Sequence, residues 1–221
     1  LTPEHAHPAQ LEDSVAAYRN LLALGINPGQ LIVCGDSAGG HLALMTLLQL
    51  RNHSLPRPAL SIALSPGTDI GRRGQSQFGN DPYDMVQGYM TLKFGQWLKG
   101  ATGCTDEQLS PTQHKFNDLG PIYLQAGGKE VLVDMIRDFS RGARDQGGQV
   151  RLDVWEHMNH EFQAYGNHLP ESRQALDRIR LAGLPVSLLG LLALALIAGM
   201  VLHADAVAEQ RAARLAPRGI D

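Results

Sequence analysis

The sequence predicts an α/β fold in which a mostly parallel sheet is flanked by helices. Along the first 180 residues, short apolar runs alternate with helix-like stretches of ten or more residues, and this alternation is typical of β-α-β units. One apolar run also passes through a glycine-rich turn directly into a helical pattern, within residues 31–50. A chain of 221 residues is long enough for one sizeable core, or for one domain with an appendage.

The first half of the chain contains two helix-like and two strand-like segments. A helix is predicted from Ala9 to Leu24, where apolar residues recur every three or four positions until Gly25 interrupts the pattern. The run Leu31–Cys34 predicts a buried parallel strand, and residues 41–50 predict the helix that follows it. Residues 60–64 form the next apolar run and predict a second strand.

A long polar and aromatic stretch then separates the second strand from the third. It contains several glycines and one helical pattern at residues 90–98, and an interval of this length predicts an insertion over a functional site. The remaining elements are predicted in the order strand 122–126, helix 131–146, strand 150–155 and helix 172–180. Because the carboxyl ends of parallel strands meet at one edge of a sheet, the loops after the four strands are expected to be neighbours.

The C-terminal region differs from the rest of the chain. Residues 181–204 contain no Asp, Glu, Lys or Arg, and the stretch Leu184–Leu202 has the length of a single transmembrane helix. The alternatives are a buried or partner-bound apolar helix and a foreign tail. Arginines flank the stretch on both sides, so the charge rule predicts no orientation. The predicted division is therefore residues 1–180 for a catalytic domain and residues 181–221 for an apolar segment with a polar tail.

Composition excludes several classes of function. The formal net charge is −3 and no run of Lys or Arg occurs, so a nucleic-acid partner is not expected. The two cysteines, Cys34 and Cys104, do not make a disulfide framework. Residues 1–10 lack the apolar core of a secretory signal. A cytoplasmic location is therefore expected, or a membrane-associated one if residues 184–202 insert.

The run Gly35-Asp36-Ser37-Ala38-Gly39 has the pattern of a nucleophile elbow. In such an elbow a serine lies on a tight strand-to-helix turn, and small residues on either side leave room for the backbone. The helix that follows directs its N–H groups toward a developing oxyanion. Ser37 is therefore the candidate nucleophile, and the alternative is a glycine-rich turn that contains an ordinary serine.

A serine nucleophile needs a base and a group that orients the base. His160 follows the fourth strand and is the candidate base, with His157 as its local rival. The loop after the third strand supplies Glu130, the candidate acid, and Asp134, which is expected to lie already on the next helix. The order of the two histidines and the glutamate that follows them does not match the metal-binding helices of metalloproteases, so no metal site is predicted.

These motifs together resemble the hormone-sensitive-lipase-like esterases of the α/β-hydrolase fold. The resemblance covers about residues 1–180 and rests on the following segments: residues 1–5 with 11–13, the elbow at 35–40, residues 64–66 with 68–69, residues 130–132, and residues 155–162. It implies hydrolysis of small carboxylic esters with short to medium acyl chains, without a cofactor. It also implies the roles of nucleophile for Ser37, base for His160 and acid for Glu130.

The chain departs from this family in one respect that affects function. Family members carry a His-Gly-Gly-Gly loop that forms most of the oxyanion hole, and these 221 residues contain no such run. The resemblance therefore implies an N-terminally truncated member in which the N–H of Ala38 is the one assignable oxyanion donor. Impaired turnover is therefore expected. There are two alternatives: a non-catalytic remnant, with or without a membrane anchor, and a serine peptidase of the same fold. The oligomeric state is not predicted.

Overall fold

Within residues 2–187 and 192–195, which the computed structural model describes, five strands form a single parallel sheet. The strands are β1 (Leu31–Asp36), β2 (Leu60–Leu64), β3 (Ile122–Gly127), β4 (Val150–Trp155) and β5 (Leu192–Ala195). Their order across the sheet is β4-β3-β2-β1-β5, and every neighbouring pair is parallel. The predicted α/β class is thus confirmed, and β2 and β4 have the predicted bounds.

Helices cover both faces of this sheet. They are α1 (Ala9–Ala23), α2 (Ser37–Asn52), α3 (Ser76–Gly79), α4 (Gly88–Lys99), α5 (Asp106–Leu109), α6 (Val133–Asp145) and α7 (Pro170–Ser187). Leu31 and Val33 of β1 pack toward α1 and α2, whereas Ile32 packs toward α7. Successive side chains of a strand point to opposite faces, so one apolar run supplies both cores.

The largest core lies under α2 and α6. It joins Leu44 and Leu47 of α2 to Leu124 of β3 and to Met135 and Ile136 of α6, all of which are almost completely buried. Burying an apolar side chain of this size stabilises the fold by about 1.5–3 kcal/mol. α2 follows β1 without a loop, and α6 begins at Val133 after a short loop from β3, so the packing of both helices also holds the carboxyl ends of those strands in place.

The stretch between β2 and β3 is an insertion that contains α3, α4 and α5. It lies against the carboxyl end of the sheet through polar contacts with the start of α6. The Asp134 carboxylate accepts hydrogen bonds from the N–H groups of Gln75 and Ser76, both at 2.9 Å, and the Ser76 hydroxyl donates to the Val131 carbonyl at 3.0 Å. The expected insertion over the strand ends is therefore present.

The predicted apolar helix at Leu184–Leu202 falls mostly outside the described residues. Within them, residues 184–187 complete α7 and Leu192–Ala195 pair with β1 as β5, so the described part of this stretch is not one continuous helix. Of the helices in the described residues, none combines the length and the apolar character that a bilayer crossing requires. Since α7 runs through position 180 without a break, the division of the chain there stays a prediction.

Candidate active site

Ser37 lies at the junction of β1 and α2 with a φ of 49°. This left-handed conformation is strained for a residue other than glycine. The turn is tight enough that a Cβ on Gly35 would lie 2.2 Å from the Gly39 carbonyl oxygen, and one on Gly40 would lie 2.9 Å from Pro66 Cβ. The glycines are therefore required by close backbone packing, and the segment has the geometry of a nucleophile elbow.

His160 lies opposite this serine, in the loop after β4. Its Nε2 atom is 2.8 Å from Ser37 Oγ, and its side chain is buried. The next residue, Glu161, has a φ of 51° and donates its backbone N–H to Ser65 Oγ at 3.2 Å, which fixes the loop on the end of β2. His157, by contrast, is exposed. Of the two candidate histidines, the structure therefore brings His160 to the serine.

Glu130 lies behind the histidine, three residues beyond the end of β3. Its Oε2 atom is 3.6 Å from His160 Nδ1, and its side chain is fully buried. Asp134 is on α6, one turn later, where its carboxylate binds the backbone of the insertion as described above. The structure thus brings Glu130 to the histidine, while Asp134 fixes the start of α3.

The environment of His160 favours its protonated form. Burial alone lowers the pKa of His160, but the Glu130 carboxylate, with smaller effects from Glu161 and Asp84, raises the pKa above its ordinary value. Burial also raises the pKa of Glu130, and its contacts with His160 and with the Ser65 hydroxyl oppose that rise. With the imidazole proton on Nδ1 facing Glu130, Nε2 is free to accept the proton of the Ser37 hydroxyl.

The remaining predicted residue, Ala38, is exposed in the first turn of α2. The first four N–H groups of a helix have no partner within that helix, so this position presents a donor at the positive end of the helix dipole. Ala38 follows Ser37 directly, and its N–H is therefore adjacent to the atom that would attack a carbonyl carbon. The role of oxyanion donor for Ala38 stays a prediction.

Sequence reasoning missed three polar residues that surround the pair of His160 and Glu130. Asp84 accepts hydrogen bonds from both of the loops that carry these two side chains, Ser65 contacts the same loops, and the Glu161 carboxylate is 3.9 Å from His160 Nε2. All three lie in irregular segments; Ser65 and Glu161 fall within segments that carry the resemblance but received no role there, and Asp84 lies outside every motif. In the part of the chain that the structure describes, no three His, Cys, Asp or Glu side chains are grouped to hold a metal ion.

The chain matches proteins of known activity over most of its length. A family model for the α/β hydrolase fold matches residues 1–164. An acetyl-hydrolase of Streptomyces hygroscopicus is 34% identical over 176 residues, which are 79% of this chain and 59% of that protein. An esterase of Acinetobacter venetianus is 30% identical over 181 residues, which are 81% of this chain and 60% of that protein.

Solved structures give the same match. The crystal structure of an esterase from the bacterial hormone-sensitive lipase family superimposes with a TM-score of 0.77 at 37% identity, over 81% of this chain and 61% of that one. The chain thus spans about three fifths of the length of the relatives it matches.

Proposed function

The chain belongs to the α/β-hydrolase fold family, and from this premise we propose that it acts on small carboxylic esters through Ser37, His160 and Glu130. The observation that carries the proposal is the 2.8 Å contact between His160 Nε2 and the Oγ of a serine held at a φ of 49°. A serine hydroxyl is a weak nucleophile until an adjacent base accepts its proton. Residues 1–180 would supply this machinery.

The reaction begins when Ser37 Oγ attacks the ester carbonyl carbon and its proton passes to His160 Nε2. The carbonyl oxygen becomes an oxyanion and accepts a hydrogen bond from the Ala38 N–H. The Glu130 carboxylate stabilises the imidazolium that has formed. When the tetrahedral intermediate collapses, His160 gives its proton to the leaving alkoxide, and the alcohol departs from an acyl-Ser37 ester.

Water completes the cycle by the same route. His160 takes a proton from a water molecule, the resulting hydroxide attacks the acyl carbon, and the second tetrahedral intermediate releases the carboxylic acid as the proton returns to Ser37 Oγ. One relative is an acetyl-hydrolase, which favours short acyl groups as the first substrates to test, and medium acyl chains follow from the wider family resemblance.

The rate of these steps depends on the oxyanion donors. The 221 residues contain no His-Gly-Gly-Gly run, which supplies most of the oxyanion donors in the family that the sequence resembles. The loss of one such donor typically lowers kcat by about 10²–10³-fold. We therefore expect slow turnover from the 221-residue protein. Covalent labelling is the more sensitive readout, because each molecule has to react only once.

The test is labelling of the 221-residue protein with a fluorophosphonate probe, together with hydrolysis of p-nitrophenyl acetate and butyrate. We expect the probe on Ser37, and both reactions lost in Ser37→Ala. Ser54→Ala is a matched control, because Ser54 also has a positive φ, 53°, but is exposed and lies outside the site. Unchanged hydrolysis in Ser37→Ala, or a probe attached elsewhere, would refute the assignment. Faster cleavage of amides than of esters would indicate a peptidase instead.

A further inference from the structure

Asp84 of the insertion lies between the two loops that carry Glu130 and His160. Its Oδ2 atom accepts a hydrogen bond from the Val131 N–H at 2.7 Å, and its Oδ1 atom accepts one from the His160 N–H at 2.9 Å. Oδ1 also accepts the N–H of Met85 at 2.8 Å. The Asp84 carboxylate therefore joins the backbone of Val131, next to the acid Glu130, to the backbone of the base His160.

A carboxylate is suited to this position because both of its oxygens only accept hydrogen bonds. Hydrogen bonds from backbone N–H groups to an ionised acceptor are also stronger than those between neutral groups. The two loops are also linked by the Lys129 N–H, which donates to the Met158 carbonyl at 2.8 Å, and through Ser65, whose hydroxyl accepts the Glu161 N–H at 3.2 Å and contacts Glu130. Neither of these contacts involves the N–H of His160, which Asp84 binds directly, so Asp84 links the main chain of the base itself to the residue next to the acid.

The distances inside the site explain why this alignment matters. His160 Nδ1 is 3.6 Å from Glu130 Oε2, which is just beyond hydrogen-bond length, while Nε2 is already 2.8 Å from Ser37 Oγ. A small rotation of the His160 backbone would therefore disturb both contacts. A shift of about 1 Å in catalytic geometry can lower a rate by about 10²-fold.

Asp84 also contributes charge at the site. The charged groups that face His160 are Glu130, Glu161 and Asp84, all of which are acidic, and each raises the pKa of His160. The charge of Asp84 likewise raises the pKa of Glu130. A change at Asp84 should therefore be detected in the titration of the histidine, which a purely structural contact would leave unaltered.

We propose that Asp84 is a positioning residue, which holds the acid and base loops in register and couples the insertion to the catalytic residues. This proposal rests on the function proposed above. It assigns to the insertion a second task besides covering the strand ends, because the geometry of His160 then depends on the placement of a residue outside the sheet.

The informative variant is Asp84→Asn. The side-chain amide keeps the shape but replaces one acceptor oxygen with an NH₂ group, so one of the two backbone N–H groups loses its partner. We expect kcat for p-nitrophenyl acetate to fall about 10- to 100-fold with little change in KM. The acid limb of the pH profile should move to lower pH, and Asp84→Glu, which keeps both oxygens and the charge, should restore part of the rate.

Asp81→Asn is the matched control. Asp81 lies in the same insertion, and its carboxylate accepts the Gly88 N–H at 2.7 Å, so the same chemical change is made at a local turn. We expect it to alter the melting temperature at most, with kcat and the pH profile unchanged. Equal losses of kcat in both variants would overturn the proposal, and so would a lower melting temperature in Asp84→Asn with unchanged kcat.

Two measurements do not depend on turnover. The imidazole of His160 can be titrated by NMR, with His160→Gln for assignment, and hydrogen exchange can be followed at the His160 and Val131 amides. In Asp84→Asn we expect a lower His160 pKa and faster exchange at one or both amides. If the protein proves inactive but these changes occur, the proposed function fails while the positioning role stands. If neither changes, the positioning role is refuted even in an active enzyme.

Discussion

Glu130 and His160 form a buried acid–base pair, with Oε2 and Nδ1 3.6 Å apart and both side chains closed to solvent. A buried carboxylate is costly unless it is paired, so this arrangement favours an imidazolium next to it. Serine catalysis forms that imidazolium as the proton leaves Ser37, and the contact is expected to shorten at that moment. In the proposed mechanism, the Glu130 carboxylate would therefore stabilise the imidazolium as it forms.

The substitution Glu130→Gln tests this relationship. The amide has nearly the same shape but no charge, so the imidazolium loses its counter-ion and the Nδ1 tautomer loses its preference. We expect kcat to fall by about 10³–10⁴-fold, as measured with p-nitrophenyl acetate or by the rate of fluorophosphonate labelling. Asp134→Asn is the control, because it changes an acid one turn later that binds the insertion. A larger loss of rate in Asp134→Asn would contradict the assignment of the acid.

The substitution Glu161→Gln is expected to change the pH dependence. Glu161 Oε1 is 3.9 Å from His160 Nε2 and raises the pKa of the imidazole through its charge. Only neutral His160 can accept the serine proton, so activity falls as the pH drops through that pKa. Removing the charge lowers the pKa, and the acid limb of kcat/KM should move to lower pH, by less than in Glu130→Gln.

The control for this shift is Glu156→Gln on the same loop. Glu156 is largely exposed and faces Arg137 at 3.6 Å, so its charge is screened by solvent. The acid limb should stay in place in this variant. An acid limb that moves to higher pH in Glu161→Gln, or that moves equally in both variants, would show that Glu161 does not act on His160.

Much of the fold could be predicted because its elements carry local signals. The strand β2 is a mostly apolar run and β4 alternates apolar with charged residues, and the predicted bounds of both strands match. At the elbow the prediction was less accurate, since β1 runs on to Asp36 and α2 begins at Ser37 rather than at residue 41. Gly39 and Gly40 weaken the helical pattern there, but at Gly40 close packing against Pro66 leaves no room for a side chain.

The candidate site likewise contains residues that the sequence predicts and one that it does not. Ser37, Glu130 and His160 follow strand ends, and parallel topology alone predicts that such positions converge. Asp84 comes from an irregular segment, where neither period nor spacing predicts its contacts. The contacts of Asp84 depend on how the insertion folds back over the sheet. Tertiary packing of this kind leaves no local pattern in the sequence.

Cys34 is expected to resist alkylation although it lies three residues before the proposed nucleophile. Burial, with a smaller effect from the charge of Asp36, raises the pKa of its thiol from 9.0 to about 11. The reactive thiolate is then about 100-fold scarcer than in the unfolded chain. Iodoacetamide at pH 8 should modify Cys104 first, as followed by peptide mass spectrometry, and the alkylated protein should keep the labelling of Ser37.

Unfolding supplies the control for that prediction, because in urea the two cysteines should react at similar rates. Alkylation of Cys34 as fast as that of Cys104 in the native protein would contradict the burial of the thiol. Loss of Ser37 labelling after modification of Cys104 alone would place the insertion cysteine nearer to the site than the structure does.

Gly35→Ala should damage the elbow, because the new methyl group would lie 2.2 Å from the Gly39 carbonyl oxygen. Neither strand nor helix can move away without shifting Ser37, and overpacking of this kind costs about 1–3 kcal/mol or more. We expect a lower free energy of unfolding in urea and loss of fluorophosphonate labelling. Gly142→Ala makes the same change within α6, where no atom lies within 4 Å of the added carbon. There the substitution should stabilise the protein by about 0.5–1 kcal/mol and leave labelling intact, so a Gly35→Ala protein as stable and reactive as Gly142→Ala would refute the tight-turn geometry.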